Sequence, residues 1–230
     1  MNNIIANIKK PYIVGAAILL VVIGGYVVYE HEYGPEAKYQ KGLHYYKDGS
    51  YKKAAHLFKE AAKQGYAPAE EKLGYMYGRG RGVSQNRYEA VHWFKKSAKQ
   101  GNAKGEFYLG MMYLAGSEGS HPSKKGMHWL KKSAEQGDAE AEDILGMIYL
   151  GGSGVPHDYK KAAHWFKKAA HQGDALGEYF LGRMYQHGLG VPKDHKKASY
   201  WIKKAKKQGH AERKYYIDEL RKLKHLLGGY

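Results

Sequence analysis

Two patterns of apolar and polar residues divide the chain. From Pro11 to Tyr29 no charged residue occurs. Beyond that stretch the apolar residues become periodic, and the period is itself repeated. Trp93, Trp129, Trp165 and Trp201 fall 36 residues apart. The same step separates Gly74, Gly110, Gly146 and Gly182, then Tyr77, Tyr113, Tyr149 and Tyr185, then Gly101, Gly137, Gly173 and Gly209. Self-similarity at such a period marks stacked supersecondary units. Four full units span 67–102, 103–138, 139–174 and 175–210. A shorter one at 35–66 precedes them, and a tail occupies 211–230.

Each unit predicts a helical hairpin. The first helix carries Leu, Gly and Tyr at i, i+1 and i+4, as in "LGYMY" from Leu73 to Tyr77. The glycine leaves a gap through which a neighbouring helix can approach. A glycine-rich breaker comes next, with Val83, Val155 and Val191 expected to plug the corner. The second helix begins at Ser50, Asn86, Asp158 or Asp194, all good N-caps. It sets Ala90 and Trp93 on one face, and its terminal lysines suit the negative pole of the helix dipole. One hairpin has nothing to bury its apolar face against, whereas stacked copies cover one another. The tryptophans are therefore expected in the core. The unit 103–138 departs from the pattern: its corner reads "GSEGSHPS", Gly126 replaces alanine, and Pro122 stands at the N-cap position. The tail lacks Leu-Gly-x-x-Tyr and reads as a solubilising C-terminal capping helix.

The uncharged stretch 11–29 is a different material. A helix of that length, at about 1.5 Å per residue, just crosses a ~30 Å hydrocarbon core. Lys9 and Lys10 stand before it, and Glu30 and Glu32 after it. The positive-inside tendency then keeps residues 1–10 in the cytoplasm and exports the chain beyond the linker 30–34. Tyr12, Tyr26 and Tyr29 stand where aromatic belts form. The expectation is a single-pass bacterial inner-membrane protein with its repeats in the periplasm. The alternative is a secreted or periplasmic chain released by cleavage near Gly24 and Gly25, although no A-x-A site stands there.

Composition narrows the chemistry. The chain of 230 residues has no cysteine, which excludes disulfides, thiol nucleophiles and thiolate metal sites. A formal charge of +16 favours acidic partners. It is unevenly placed: unit 175–210 has eight Lys and Arg against Glu178 and Asp194, while unit 139–174 has four against five acids. That basic unit suits a solvated face, an anionic lipid surface or an acidic protein. Nucleic acid is disfavoured by the exported orientation. Thirteen histidines include the column His56, His92, His128 and His164. Stacked helices lie about 8–10 Å apart, too far for successive copies to share one ion. Ser50 to Lys53, "SYKK", fits S-x-x-K, but its companion motifs are missing and Ser50 already serves as an N-cap. No catalytic, cofactor-binding or metal-binding residue is implied.

The repeated residues resemble the Sel-one-like repeat family, a relative of the tetratricopeptide repeat. The resemblance covers 67–210 in full. In 35–66 it leans towards the plain tetratricopeptide pattern through Gly42, Tyr45, Ala54, Phe58 and Ala61. It implies an all-α, right-handed α-solenoid of stacked helical hairpins whose first helices line a concave protein-binding face. Carried over by position, that face offers Tyr39, Leu43 and Tyr46, then Glu71 and Tyr75. It continues with Phe107, Met111 and Leu114, with Asp143, Met147 and Leu150, and with Tyr179, Arg183 and Gln186. An aromatic and Met-rich groove suits a peptide or helix. The expected function is a non-enzymatic, membrane-anchored adaptor that binds another protein. An immunity-type protein neutralising a delivered toxin is the alternative. A cell-wall-acting enzyme ranks below both, because the groove offers only Glu71 and Asp143 as acids.

Overall fold

The computed structural model describes residues 34–116, 124–152 and 155–208. The stretch 11–29, the capping tail, Gly209, and most of the "GSEGSHPS" corner with Pro122 lie outside the described residues. Within them the chain is all helical. In order come α1 (Pro35–Lys47), α2 (Tyr51–Lys63), α3 (Ala67–Arg79), α4 (Arg87–Lys99) and α5 (Ala103–Ala115). Next are α6 (Lys124–Glu135), α7 (Ala139–Gly151), α8 (Tyr159–His171), α9 (Ala175–His187) and α10 (His195–Lys207). Two compact units divide between Trp93 and Phe94, inside α4. Among the described residues, no helix is long and apolar enough to cross a membrane.

Both units are built by the same device. On α2 the buried residues are Ala54, Ala55, Phe58, Ala61 and Ala62. On α8 they are Ala162, Ala163, Phe166, Ala169 and Ala170. This spacing of i, i+1, i+4, i+7 and i+8 is one face of a 3.6-residue helix. Small alanines bring the backbone close, and one large ring fills the centre. That ring enters the gap left by the first-helix glycine. A Cβ on Gly146 would lie 2.7 Å from Phe166 Cε1, and one on Gly42 would lie 2.6 Å from Phe58 Cε1. The expected close approach is thus present, and its occupant is the residue after the tryptophan position.

This corrects the expected place of three of the four tryptophans. Trp93 is 8 % exposed, whereas Trp129, Trp165 and Trp201 are half-buried and Phe166 and Leu130 are fully buried. The indole stands about 100° round the helix from the centre of the apolar stripe, so it flanks the core. Phe166 then stacks on Phe180 of the next hairpin, 4.9 Å between centroids, and Phe94 stacks on Tyr108 at 5.0 Å.

The ends of the helices obey their capping chemistry. Asn86 Oδ1 accepts from the Tyr88 and Glu89 amides, and Asp158 and Asp194 accept from the Lys161 and Lys197 amides. Ser50 makes no side-chain cap bond, contrary to expectation. Asn102, Asp138 and Asp174 cap the first helices as well, a role not expected from the sequence. Val83, Val155 and Val191 pack against the cores of their units. In α6, Gly126 admits Leu114, whose Cδ2 would lie 2.7 Å from an added Cβ. The small residue there is matched by a larger one on α5.

Candidate functional site

The first-helix face of residues 34–93 is aromatic and only partly covered. Tyr39, Leu43 and Tyr46 on α1 and Tyr75 on α3 are all half-buried. Tyr39 rests on Phe58 at 5.7 Å and meets Tyr66 edge-on at 5.3 Å. Burial raises its hydroxyl pKa, and the Glu71 charge acts in the same direction. Glu71 itself is buried, with the Lys72 ammonium 3.2 Å away. Tyr46 and Tyr75 converge with Tyr51 on the guanidinium of Arg81. This face combines flat rings, hydroxyls and cations.

The matching face of residues 94–208 is mostly consumed by packing on α5 and α7 and stays open on α9. Phe107, Leu114 and Met147 belong to the hydrophobic core. Asp143 is buried too, and its Oδ1 has no hydrogen-bond partner. Burial lifts its carboxyl well above the ordinary aspartate range, and a hydrogen bond to Asp174 pushes the same way. Asp174 caps α9 through the Leu176 and Gly177 amides, so this second acid is anchored beside Asp143. Met111, Leu150 and Tyr179 pack against the core with one side left open. Arg183 is exposed and donates to Gln186 Oε1 at 2.9 Å. Gln186 also lines a shallow cleft with His195, Ala198, Ser199, Ile202, Lys203 and Lys206.

A repeated polar cluster was not expected from the sequence. Glu106, Glu142 and Glu178 are buried on first helices. Gln136, Gln172 and Gln208, which end the second helices, donate to Oε2 of these carboxylates at 2.7, 2.8 and 3.0 Å. Lys132, Lys168 and Lys204 lie 3.4, 3.1 and 2.7 Å from the other oxygen. The same ammonium groups sit over Trp129, Trp165 and Trp201 at 5.0, 4.8 and 5.2 Å. The flanking tryptophan is therefore a platform for the lysine that neutralises a buried acid. The cluster fixes one helix of a hairpin against the other and leaves no group free for chemistry. The signal was present, since Glu and Gln recur with the same 36-residue step as Trp.

The remaining candidates behave as surface groups. His56, His92, His128 and His164 are exposed. His92, His128 and His164 stand edge-on to the next residue, a tryptophan in each case, at 5.1, 5.3 and 5.1 Å. Among the described residues, no three His, Asp or Glu side chains are placed to hold a metal ion. Lys53, the lysine of "SYKK", lies over the Tyr45 ring at 5.3 Å.

Comparison with known proteins agrees with this geometry. The Sel1 repeat model matches residues 23–66, 67–102, 103–138, 139–174 and 175–210. The first of these matches takes in the short repeat that leans towards the tetratricopeptide pattern. No curated protein matches the chain. Among solved structures, a Sel1 repeat protein from Oxalobacter formigenes is 32 % identical with a TM-score of 0.70, over 76 % of this chain and 73 % of that one. A protective antigen present in uropathogenic Escherichia coli strains, displaying an SLR fold, is 32 % identical with a TM-score of 0.69. That match covers 78 % of this chain but 39 % of the antigen, so the chain corresponds to about two fifths of it. A putative Sel1 repeat protein from Klebsiella pneumoniae, 23 % identical with a TM-score of 0.53 over 84 % of this chain and 93 % of that one, shares the fold.

Proposed function

The chain belongs to the Sel1 repeat family, whose repeats are non-catalytic modules for protein–protein interaction, and from that premise we propose that it is a membrane-tethered adaptor. It holds another envelope protein through the first-helix faces of its hairpins. The observation that carries the reading is the half-buried tyrosines, leucines and methionine that packing leaves on each unit: Tyr39, Leu43, Tyr46 and Tyr75 in one, and Met111, Leu150 and Tyr179 in the other. Rings and thioethers that keep one side open gain most from a peptide or helix laid across them. The tether is the uncharged stretch 11–29 behind Lys9 and Lys10, and the repeats face the periplasm.

Two measurements test this. Wild-type protein used as bait in detergent-solubilised envelopes is expected to retain one stoichiometric partner, and Tyr75→Ala combined with Met111→Ala is expected to release it. Retention by the double variant would move the binding surface elsewhere. Because the chain has no cysteine, Lys99→Cys supplies a single thiol at an exposed position of α4. A membrane-impermeant maleimide should label it once the outer membrane is permeabilised and the inner membrane is intact. Labelling only after full lysis would overturn the periplasmic orientation.

A further inference from the structure

Two corners of this protein share a backbone and differ in what they hold. Between α3 and α4, Gly80 and Gly82 take φ of 66° and 71°. Between α9 and α10, Gly188 and Gly190 take 70° and 66°. A Cβ on Gly82 would run into the Tyr51 carbonyl, and one on Gly190 into the Tyr159 carbonyl. Each corner is thus pinned to the start of the preceding second helix. The residue between the two glycines is Leu189 in one corner and Arg81 in the other. Leu189 packs against the core.

Arg81 is exposed, yet it is held. Its guanidinium lies 5.8, 5.6 and 5.8 Å from the ring centroids of Tyr46, Tyr51 and Tyr75. Its Nη1 donates to the Tyr46 hydroxyl. Arg79 lies over Tyr75 as well, at 5.8 Å. The other corner folds with Leu150, Tyr159 and Arg183 at the positions of Tyr46, Tyr51 and Tyr75, so the repeat does not require this cluster. Aromatic rings orient a guanidinium but accept few of its N–H donors. Among the described residues, neither arginine has a carboxylate at ion-pairing distance. Two cations gathered on one tyrosine ring, with donors unspent, leave a local excess of positive charge for an anion to offset.

We propose that Arg81, supported by Arg79, is a carboxylate-receiving subsite, so that the partner presents an acidic peptide segment to the face of α1 and α3. This deepens the adaptor reading and rests on it. A planar fork fixed by three rings meets a carboxylate in two parallel hydrogen bonds and loses little side-chain freedom in doing so. Tyr46 and Tyr75 lie beside it on the predicted groove, where they cover the rest of the peptide. The net charge of +16 draws such a segment in.

The full chain in detergent should be panned against a random-peptide display library. Enrichment of peptides rich in Asp and Glu is expected. A synthetic copy of the best one should bind Arg81→Leu about tenfold or more weakly, the loss of one charge-assisted pair. That variant installs what the α9–α10 corner already carries, and its melting curve should match the wild type. If it melts lower, Arg79→Gln takes its place, with a smaller loss expected. Selected peptides without acidic residues, or equal affinity for the variants, would overturn the carboxylate subsite and leave the adaptor reading standing. Retention of no peptide at all would count against both. Inorganic phosphate binding more tightly than the selected peptide would make this a free-anion site and overturn the proposal.

Discussion

Residues 34–93 and 94–208 are written in the same repeat and spend it differently. The position after the first-helix glycine shows the contrast. In α1 and α3 it holds Leu43 and Tyr75, both half-buried. In α7 it holds Met147, buried within the core, whereas Met111 in α5 is half-buried and Arg183 in α9 is exposed. Four positions earlier, α1 and α9 offer the half-buried Tyr39 and Tyr179, whereas α3, α5 and α7 have Glu71, Phe107 and Asp143 buried. Within 94–208, α5 and α7 turn much of this face into packing, and the stretch 34–93 leaves most of its own open. The same hairpin is thus kept throughout, while its inner face is free to be either core or contact surface.

The comparison can be broken at several points, the largest first. Phe166→Ala should cost about 3–5 kcal/mol in urea unfolding, because a filled gap beside Gly146 becomes a cavity. Trp165→Ala should cost about 1–2 kcal/mol, since that ring is half exposed and loses a cation–π contact with Lys168. Reversed magnitudes would return the tryptophan to the centre of the core. Met147→Ala should cost about 2–3 kcal/mol against about 1 kcal/mol for Leu43→Ala. Equal losses would mean that the two faces are equally buried and would end the contrast between them.

The smallest effect reports on a single proton. Asp143 has a raised folded pKa, so the folded state holds a proton that the unfolded state releases above the ordinary aspartate pKa of about 3.9. Stability therefore falls as pH rises from there to the folded pKa and stays reduced beyond it. Asp143→Asn, which donates to Asp174 without titrating, should raise the Tm at pH 7, with the gain shrinking towards pH 4. A constant gain across that range would show that the carboxyl is not protonated in the folded protein.

Much of this architecture was legible because it rests on spacing. Gly146 and its equivalents, the capping Asp158 and Asp194, and the corner valines take the roles their positions predict. Trp93 also takes its predicted place in the core, but Trp129, Trp165 and Trp201 do not, because a single-position offset decides burial. Phe58, Phe94, Leu130, Phe166 and Ile202 vary in kind and hide the stripe they form. The buried Glu142 with its Lys168 and Gln172 shares the step of Trp, yet polar residues on a charged helix carry the same pattern as solvated surface. On the candidate face, position alone could not separate Leu114 and Met147, which pack, from Met111 and Leu150, which keep a side open.

What the sequence by itself determined is the repeat, its two helices, the second-helix caps at Asn86, Asp158 and Asp194, and the family, because these depend on local periodicity and on residues with narrow backbone preferences. Tertiary structure alone decided which apolar groups became core, which carboxylates were neutralised in place, and where Arg81 came to rest. Each of those outcomes depends on side chains some thirty residues apart in the chain, and only the stacking of hairpins brings them within reach of one another.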